Sequence, residues 1–291
     1  MASRNKLWLG IGAFVLTGNG SAAQPPQQHV APTVDLFAAE ATEIPLDSHS
    51  RSARRLAKAW TAGAGGEGGE GGEAGINLEA ADSDPVEYGI ALQVIAAHYH
   101  AGLAAYEGAE KEAGAQMFAH GLSEVYVEME DIFKRRGVKD LGKKLEAAVE
   151  AANAGKPVAD VRRRVKDVYG ALKTAEKAAP RSSAPAQAVK AQVVAEMIER
   201  AAAQYAVIQK DRSLEPYLDG LGFAIAARSQ AKDILPWLRK LDAQKEKTVN
   251  RALALTAQAF PGIGRPDAAK VPVSKLLAAA SGAKLAVSNL K

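Results

Sequence analysis

Three of the five histidines of the chain lie close together in the sequence. They are His98, His100 and His120, and glutamate and methionine residues accompany them in the same segment. Neutral imidazole is the commonest metal ligand among protein side chains. Imidazole combined with carboxylate suits zinc, iron or copper, and a thioether sulfur shifts the preference towards copper. This segment is therefore a candidate metal-binding site.

The spacing of the first two histidines decides which of them can face a metal ion. A helix turns about 100° per residue, so His98 and His100 lie on opposite sides of Tyr99 and cannot both face one small site. His100 shares its flank of the helix with Glu107. We therefore take His100 as the leading ligand from this helix.

A second predicted helix carries the remaining candidates. Met117, His120 and Glu124 follow one another at spacings of three and four residues and form one stripe beside the buried face. If the two helices form an antiparallel hairpin, a histidine of the first helix approaches this stripe, and helical bundles build metal sites from such facing side chains. The predicted metal ligands are His100, His120 and Glu124 as the leading set, with His98, Met117 and Glu107 as further candidates.

Two other interpretations of these residues stay open. In the first, the histidines hydrogen-bond within the core, Met117 fills space there, and the protein is a metal-free interaction or scaffold module for a partner in the cell envelope. In the second, one of the three histidines is the axial ligand of a non-covalently bound haem, which needs a wide apolar slot. Haem colours a purified protein, a metal ion appears in elemental analysis, and a scaffold shows neither.

The segments that position these residues are predicted to be helices. Asp84 and Pro85 supply an N-cap and a first-turn proline, and apolar residues then recur at spacings of three and four. No segment shows the alternation of a half-buried strand. The predicted fold class is all-α, with helical bundles at 85–179 and 186–291 separated by the PRSSAP sequence at 180–185. Duplication of a four-helix unit is one interpretation of the two halves.

The N-terminal part of the chain is predicted to be an export signal followed by a tether. Residues 1–23 have a basic start with Arg4 and Lys6, an apolar run and a small-residue ending at Ala23, which is typical of a cleaved signal peptide. Residues 24–84, with their GAGGEGGEGGEAG run, have the composition of a flexible linker. We therefore expect a periplasmic protein with no transmembrane segment after cleavage.

The composition excludes several classes of function. The chain has no cysteine, which excludes disulfides, thiolate metal sites and covalent c-type haem. A formal charge of +4 is too small to indicate a nucleic acid partner. The sequence contains no HExxH, GxSxG or Walker motif. The partners we expect are thus a metal ion and an envelope protein, and the expected role is non-catalytic.

Two resemblances bear on this expectation. The GEGGEGGEAG linker and the HYHAGLAAYEGAEKEAGAQMFAHGLSEVY core resemble a group of uncharacterised exported helical proteins of Gram-negative bacteria. The paired helical units of residues 85–291 resemble, more distantly, the imelysin-like periplasmic proteins of iron uptake, and that resemblance implies metal binding or delivery. Those proteins carry a histidine and a glutamate separated by two residues, whereas His120 and Glu124 are separated by three. No ligand is therefore carried over from that family.

Overall fold

Several helices begin at residues whose side chains favour a helix start. The Asp84 carboxylate accepts a hydrogen bond from the Val86 amide at 2.8 Å. Pro85 occupies the first turn, where no intrahelical donor is needed. The Asp242 carboxylate accepts a hydrogen bond from the Gln244 amide at 2.8 Å in the same way. These caps satisfy amides that the helix itself leaves without a partner.

The computed structural model describes residues 75–290. The predicted signal peptide, most of the predicted tether and Lys291 lie outside the described residues. Residues 75–290 form helices and no strand, which confirms the predicted all-α class. The α-helices are α1 (Leu78–Ala81), α2 (Pro85–Glu107), α3 (Lys111–His120), α4 (Val127–Arg135), α5 (Leu141–Asn153), α6 (Val158–Glu176), α7 (Ala186–Val207), α8 (Glu215–Leu241), α9 (Ala243–Ala259) and α10 (Val273–Val287). A π-helical segment (Gly121–Tyr126) joins α3 to α4.

Helix α2 lies at the centre of these helices. It packs against α3, α6, α7 and α8. Residues on all of its sides are buried, among them Tyr88, Ile95 and Ala105. A helix enclosed in this way is apolar on all sides rather than on one stripe. Any polar side chain in its middle, such as His98, is therefore enclosed by neighbouring helices. Within residues 75–290, no helix combines the length and the apolar composition needed to cross a bilayer.

Glycines allow neighbouring helices to approach α2 closely at the level of His98. A Cβ atom on Gly222 of α8 would lie 2.4 Å from the carbonyl oxygen of Ala97, closer than side chains come in real structures. A Cβ atom on Gly121 would lie 3.1 Å from the Cβ atom of His98. Only glycine permits such backbone approach without displacement. These two positions bring α8 and the π-helical segment against α2.

Buried tyrosine hydroxyls tie the helices to distant parts of the backbone. Each hydroxyl donates a hydrogen bond to a carbonyl oxygen far away in sequence, as buried phenol groups usually must. The pairs are Tyr88 with Ala175, Tyr99 with Leu145, Tyr106 with Lys156, Tyr205 with Val271 and Tyr217 with Gly262.

The structure differs from the predicted domain organisation at the end of the tether. Residues 75–84, which the sequence assigns to the tether, are folded: the Asn77 side chain caps α1, and Ile76 is buried. The reason is that the glycine run ends at Gly75, and the apolar residues after it can be buried. Helices of the two predicted bundles pack together, since α2 contacts both α7 and α8. The boundary at 180–185 is a loop between α6 and α7, and the duplication stays a prediction.

Candidate metal centre

The candidate site forms where the regular hydrogen bonding of a helix changes. His120 is the last residue of α3, and Glu124 lies within the π-helical segment that follows it. A π turn closes its hydrogen bonds over five residues instead of four, costs stability, and occurs frequently at functional sites. The widened turn presents His120 and Glu124 to α2 together. The sequence pattern contains no signal for this π turn and predicts a regular helix through the segment.

Three potential metal ligands converge from α2, α3 and the π-helical segment. The Nε2 atom of His98 lies 3.8 Å from Oε2 of Glu124. The Nδ1 atom of His120 lies 3.5 Å from Oε1 of the same glutamate. One donor atom from each of the three residues lies within 4.8 Å of the other two. Both imidazole rings are buried, with residue exposures of 5% for His98 and 8% for His120.

Helix α8 adds two carboxylates to this group. Oδ1 of Asp219 lies 3.7 Å from Nε2 of His98, and Oε1 of Glu215 lies 3.6 Å from Nδ1 of His120. The two acidic residues are one helical turn apart, so they face the same direction. Oδ1 of Asp219 is buried and has no hydrogen-bond partner within residues 75–290. A buried acceptor without a donor indicates a missing cation or a missing proton.

Backbone hydrogen bonding fixes the tautomer of His98. Its Nδ1–H donates to the carbonyl oxygen of Val94 at 2.9 Å, which leaves the lone pair of Nε2 directed towards Glu124 and Asp219. Such a bond to the distal nitrogen fixes the tautomer and the ring orientation of metal-binding histidines. Burial lowers the pKa of His98 to about 4. The ring is therefore neutral at pH 7, as coordination requires.

The electrostatics of the group favour a bound cation. Burial, followed by the charges of Glu215 and Glu124, raises the pKa of Asp219 to about 8. Like-charged carboxylates that share a buried site resist ionisation together. A metal cation among them would offset both the repulsion and the loss of hydration. The donors present thus fit a metal ion in number and type.

A cavity of about 230 Å³ opens beside these donors. Its wall includes His98, Glu124 and Asp219, together with Arg200 and Phe223. The edge of the Phe223 ring packs against the His98 imidazole, with 6.4 Å between the ring centroids. Arg200 donates a hydrogen bond to the carbonyl oxygen of Gly75 at 2.8 Å. The cavity supplies a path by which a small ion can reach the donors from solvent.

The structure places His100 away from this group. The Tyr169 hydroxyl and Nδ1 of His100 are hydrogen-bonded at 2.8 Å, and their ring centroids lie 4.7 Å apart. Burial lowers the pKa of His100 to about 4, so this ring too is neutral at pH 7. His98 and His100 diverge because residues two apart on a helix point about 200° apart. The first helix therefore offers His98, and not the leading candidate His100, to His120 and Glu124.

Two further sequence candidates also have other surroundings. Glu107 forms an ion pair with Arg162, with 2.7 Å between Oε1 and Nε, at the exposed end of α2. Met117 is buried in the hydrophobic core at 1% exposure, a position that its spacing among apolar residues equally indicates. Asp219 and Glu215 are not among the ligands predicted from the sequence. Their four-residue spacing was a weak signal, because nothing in the sequence places the start of α8 beside His98.

Comparison of the chain with protein-family models, with curated proteins and with solved structures finds no match. The function is therefore inferred from the geometry of the candidate site and from the sequence patterns described above.

Proposed function

We propose that the protein binds a transition-metal ion through His98, His120 and Glu124, with Asp219 contributing. The role that fits is metal homeostasis or uptake in the periplasm, without catalysis. The observation that carries the proposal is the convergence of two buried imidazoles and a carboxylate from separate elements, with donor atoms within 4.8 Å of one another. The two alternatives are a metal-free scaffold and a haem protein, and the metal analysis below distinguishes them from the proposed site.

The alternative that the two histidines only fill the core does not explain why carboxylates gather around them. Core histidines are normally surrounded by donors and acceptors that satisfy them, whereas this group places carboxylates of Glu124, Asp219 and Glu215 beside two imidazoles. Like-charged carboxylates that lie close together repel one another, and a bound cation would offset that repulsion. His100 offers the contrast, because its Nδ1 is satisfied by one tyrosine hydroxyl. A bound metal ion would explain why carboxylates surround His98 and His120, whereas packing alone would not.

The donor types narrow the choice of metal. Imidazole nitrogen with carboxylate oxygen suits zinc and iron, and the high proportion of oxygen also suits manganese. Copper in its reduced state prefers thioether and thiolate ligands, and the chain has no cysteine. The donor set therefore favours zinc or iron over copper.

The periplasmic part of the proposal is supported by sequence alone. Residues 1–23 have the three-part pattern of a signal peptide, and the imelysin-like resemblance points to iron uptake. N-terminal sequencing of the full chain expressed in a Gram-negative host tests it. A mature start at Gln24 in the periplasmic fraction is expected, whereas an uncut chain in the cytoplasm would contradict export.

Elemental analysis tests the metal itself. The full chain is expressed in cells, purified without chelator, and compared with the His120→Ala and His100→Ala variants. Zinc or iron is expected in the wild type and in His100→Ala and should be lost in His120→Ala. A haem absorption band would favour the haem alternative. Absence of metal, both after purification and after titration, would favour the scaffold.

A further inference from the structure

The two carboxylate oxygens of Glu124 face different histidines. Oε2 is directed to Nε2 of His98 at 3.8 Å, and Oε1 is directed to Nδ1 of His120 at 3.5 Å. A bridging carboxylate directs each of its two oxygens to a different ion. Here the carboxylate lies between the rings, whose centroids are 6.3 Å apart. The glutamate therefore has two separate donor positions.

Each histidine also has a second carboxylate of its own. His98 faces Oδ1 of Asp219 at 3.7 Å, and His120 faces Oε1 of Glu215 at 3.6 Å. The Gln116 amide contacts the other oxygen of Glu215 at 3.5 Å, which leaves Oε1 for His120. The group thus divides into two sets of the same composition. Each set has one imidazole, one terminal carboxylate and one oxygen of Glu124.

The histidine-to-carboxylate distances are close to the span of one metal ion. Donors bound at about 2.0–2.2 Å with near-tetrahedral angles lie roughly 3.3–3.6 Å from each other. The separations of His120 from its two carboxylates, 3.5 and 3.6 Å, fall in this range, and those of His98, 3.7 and 3.8 Å, lie just above it. A carboxylate that binds through both oxygens can hold two ions about 3.5–4 Å apart, the separation found in two-metal sites.

We infer that the site is a dinuclear centre in which Glu124 bridges two divalent metal ions. One ion is held by His98 and Asp219, and the other by His120 and Glu215. This inference rests on the proposed metal-binding function and extends it from one ion to two. Three protein ligands for each ion leave coordination positions open to water or to a small anion from the adjoining cavity.

The two ions should differ in affinity because their surroundings differ. The Asp219 side chain is 18% exposed, whereas that of Glu215 is 49% exposed. An exposed ligand loses more side-chain entropy on binding and competes with water. The ion between His120 and Glu215 is therefore the weaker one, and it should enter last and leave first.

Metal stoichiometry tests the inference directly. The full chain is stripped with chelator and titrated with Zn²⁺ by calorimetry, with metal content checked by elemental analysis. Two equivalents are expected for the wild type. Glu215→Gln, a change at an exposed side chain that should not disturb folding, is expected to bind one equivalent. Glu107→Gln is the matched control, since its carboxylate pairs with Arg162 outside the site, and it should keep two.

The outcomes separate this inference from the proposed function. One equivalent in the wild type would overturn the dinuclear centre and leave a mononuclear site standing. No binding at all would overturn both. Two equivalents retained by Glu215→Gln would place the second ion elsewhere and overturn the bridging role of Glu124. Loading with Mn²⁺ gives an independent readout, because bridged ions couple magnetically. A spectrum of two uncoupled Mn²⁺ ions would also overturn the bridge.

Discussion

Nε2 of His98 lies 3.7 Å from Oδ1 of Asp219, and this contact joins the central helix α2 to α8 in the candidate metal centre. The carboxyl oxygen is buried and lacks a hydrogen-bond donor within residues 75–290. Burial lowers the pKa of the histidine to about 4 and raises that of the aspartate to about 8. Burial is the main cause of both shifts, and the charges of Glu215 and Glu124 add to that of Asp219.

Replacing Asp219 with asparagine should have opposite effects on metal affinity and on metal-free stability. The asparagine amide keeps the shape of the aspartate but not its charge. Mutation of residues that only hydrogen-bond to metal ligands lowers metal affinity about 10- to 100-fold, so the affinity for Zn²⁺ should fall by at least that much. Without metal, the repulsion from Glu215 and Glu124 is relieved, and the melting temperature at pH 8 should rise. Calorimetry and thermal unfolding in chelator measure the two effects. A lower melting temperature in chelator would contradict the repulsion.

The two neighbouring histidines should respond differently to alanine substitution. His98→Ala removes a donor atom and should weaken Zn²⁺ binding by at least about 100-fold. His100→Ala removes the partner of the Tyr169 hydroxyl and should lower stability by about 1–3 kcal/mol with unchanged affinity. Titration at a temperature where both variants are folded makes the comparison. Equal affinities in the two variants would show that His98 is not a ligand.

Much of this arrangement follows from the sequence, and the part that does not is long-range. The caps and apolar spacing predict the helices, and the 200° separation predicts that His98 and His100 diverge. Which of the two faces His120 depends on the rotation of α2, which is decided by long-range packing such as the close approach at Gly222 and Gly121. The π turn has no sequence signal. Asp219 reaches the site only through the packing of α8 on α2, which local patterns do not encode.

The contact of Gly222 with α2 should be essential both for stability and for metal binding. Gly222→Ala places a Cβ atom 2.4 Å from the Ala97 carbonyl oxygen, and the resulting displacement of α8 should cost about 1–3 kcal/mol. The same displacement moves Asp219 away from His98, so metal affinity should fall as well. Urea unfolding and Zn²⁺ titration measure these changes.

Gly170→Ala is the matched control for that substitution. Gly170 lies within α6 and nothing would approach its Cβ atom within 4 Å, so the change should stabilise the protein by about 0.5–1 kcal/mol through helix propensity. If Gly222→Ala were equally stabilising, the close approach of α8 to α2 would be contradicted.

A buried glutamate outside the metal centre should make stability depend on pH. Burial, followed by the charges of Glu150 and Glu130, raises the pKa of Glu146 to about 7. The folded protein therefore binds this proton more tightly than the unfolded chain, and stability falls as pH rises from about 4.5 to 7. Glu146→Gln removes the charge, so it should add about 1–3 kcal/mol at pH 8 and little at pH 4.5.

Urea unfolding in chelator at the two pH values tests the role of Glu146. Asp167→Asn, at an exposed position of α6, is the control and should change stability by less than about 0.5 kcal/mol at either pH. A gain from Glu146→Gln that is the same at pH 4.5 and pH 8 would mean that the proton is not bound at Glu146.

The metal content of Glu124→Gln tests the central claim most directly, because Glu124 contacts both histidines. The wild type and this variant are expressed as full chains, purified without chelator and analysed for zinc, iron, manganese and copper. If Glu124 is a ligand, bound zinc or iron is expected in the wild type, and that metal should be lost in the variant. A wild type that is empty and takes up none of these metals on titration would contradict it, as would a Glu124→Gln protein with unchanged metal content.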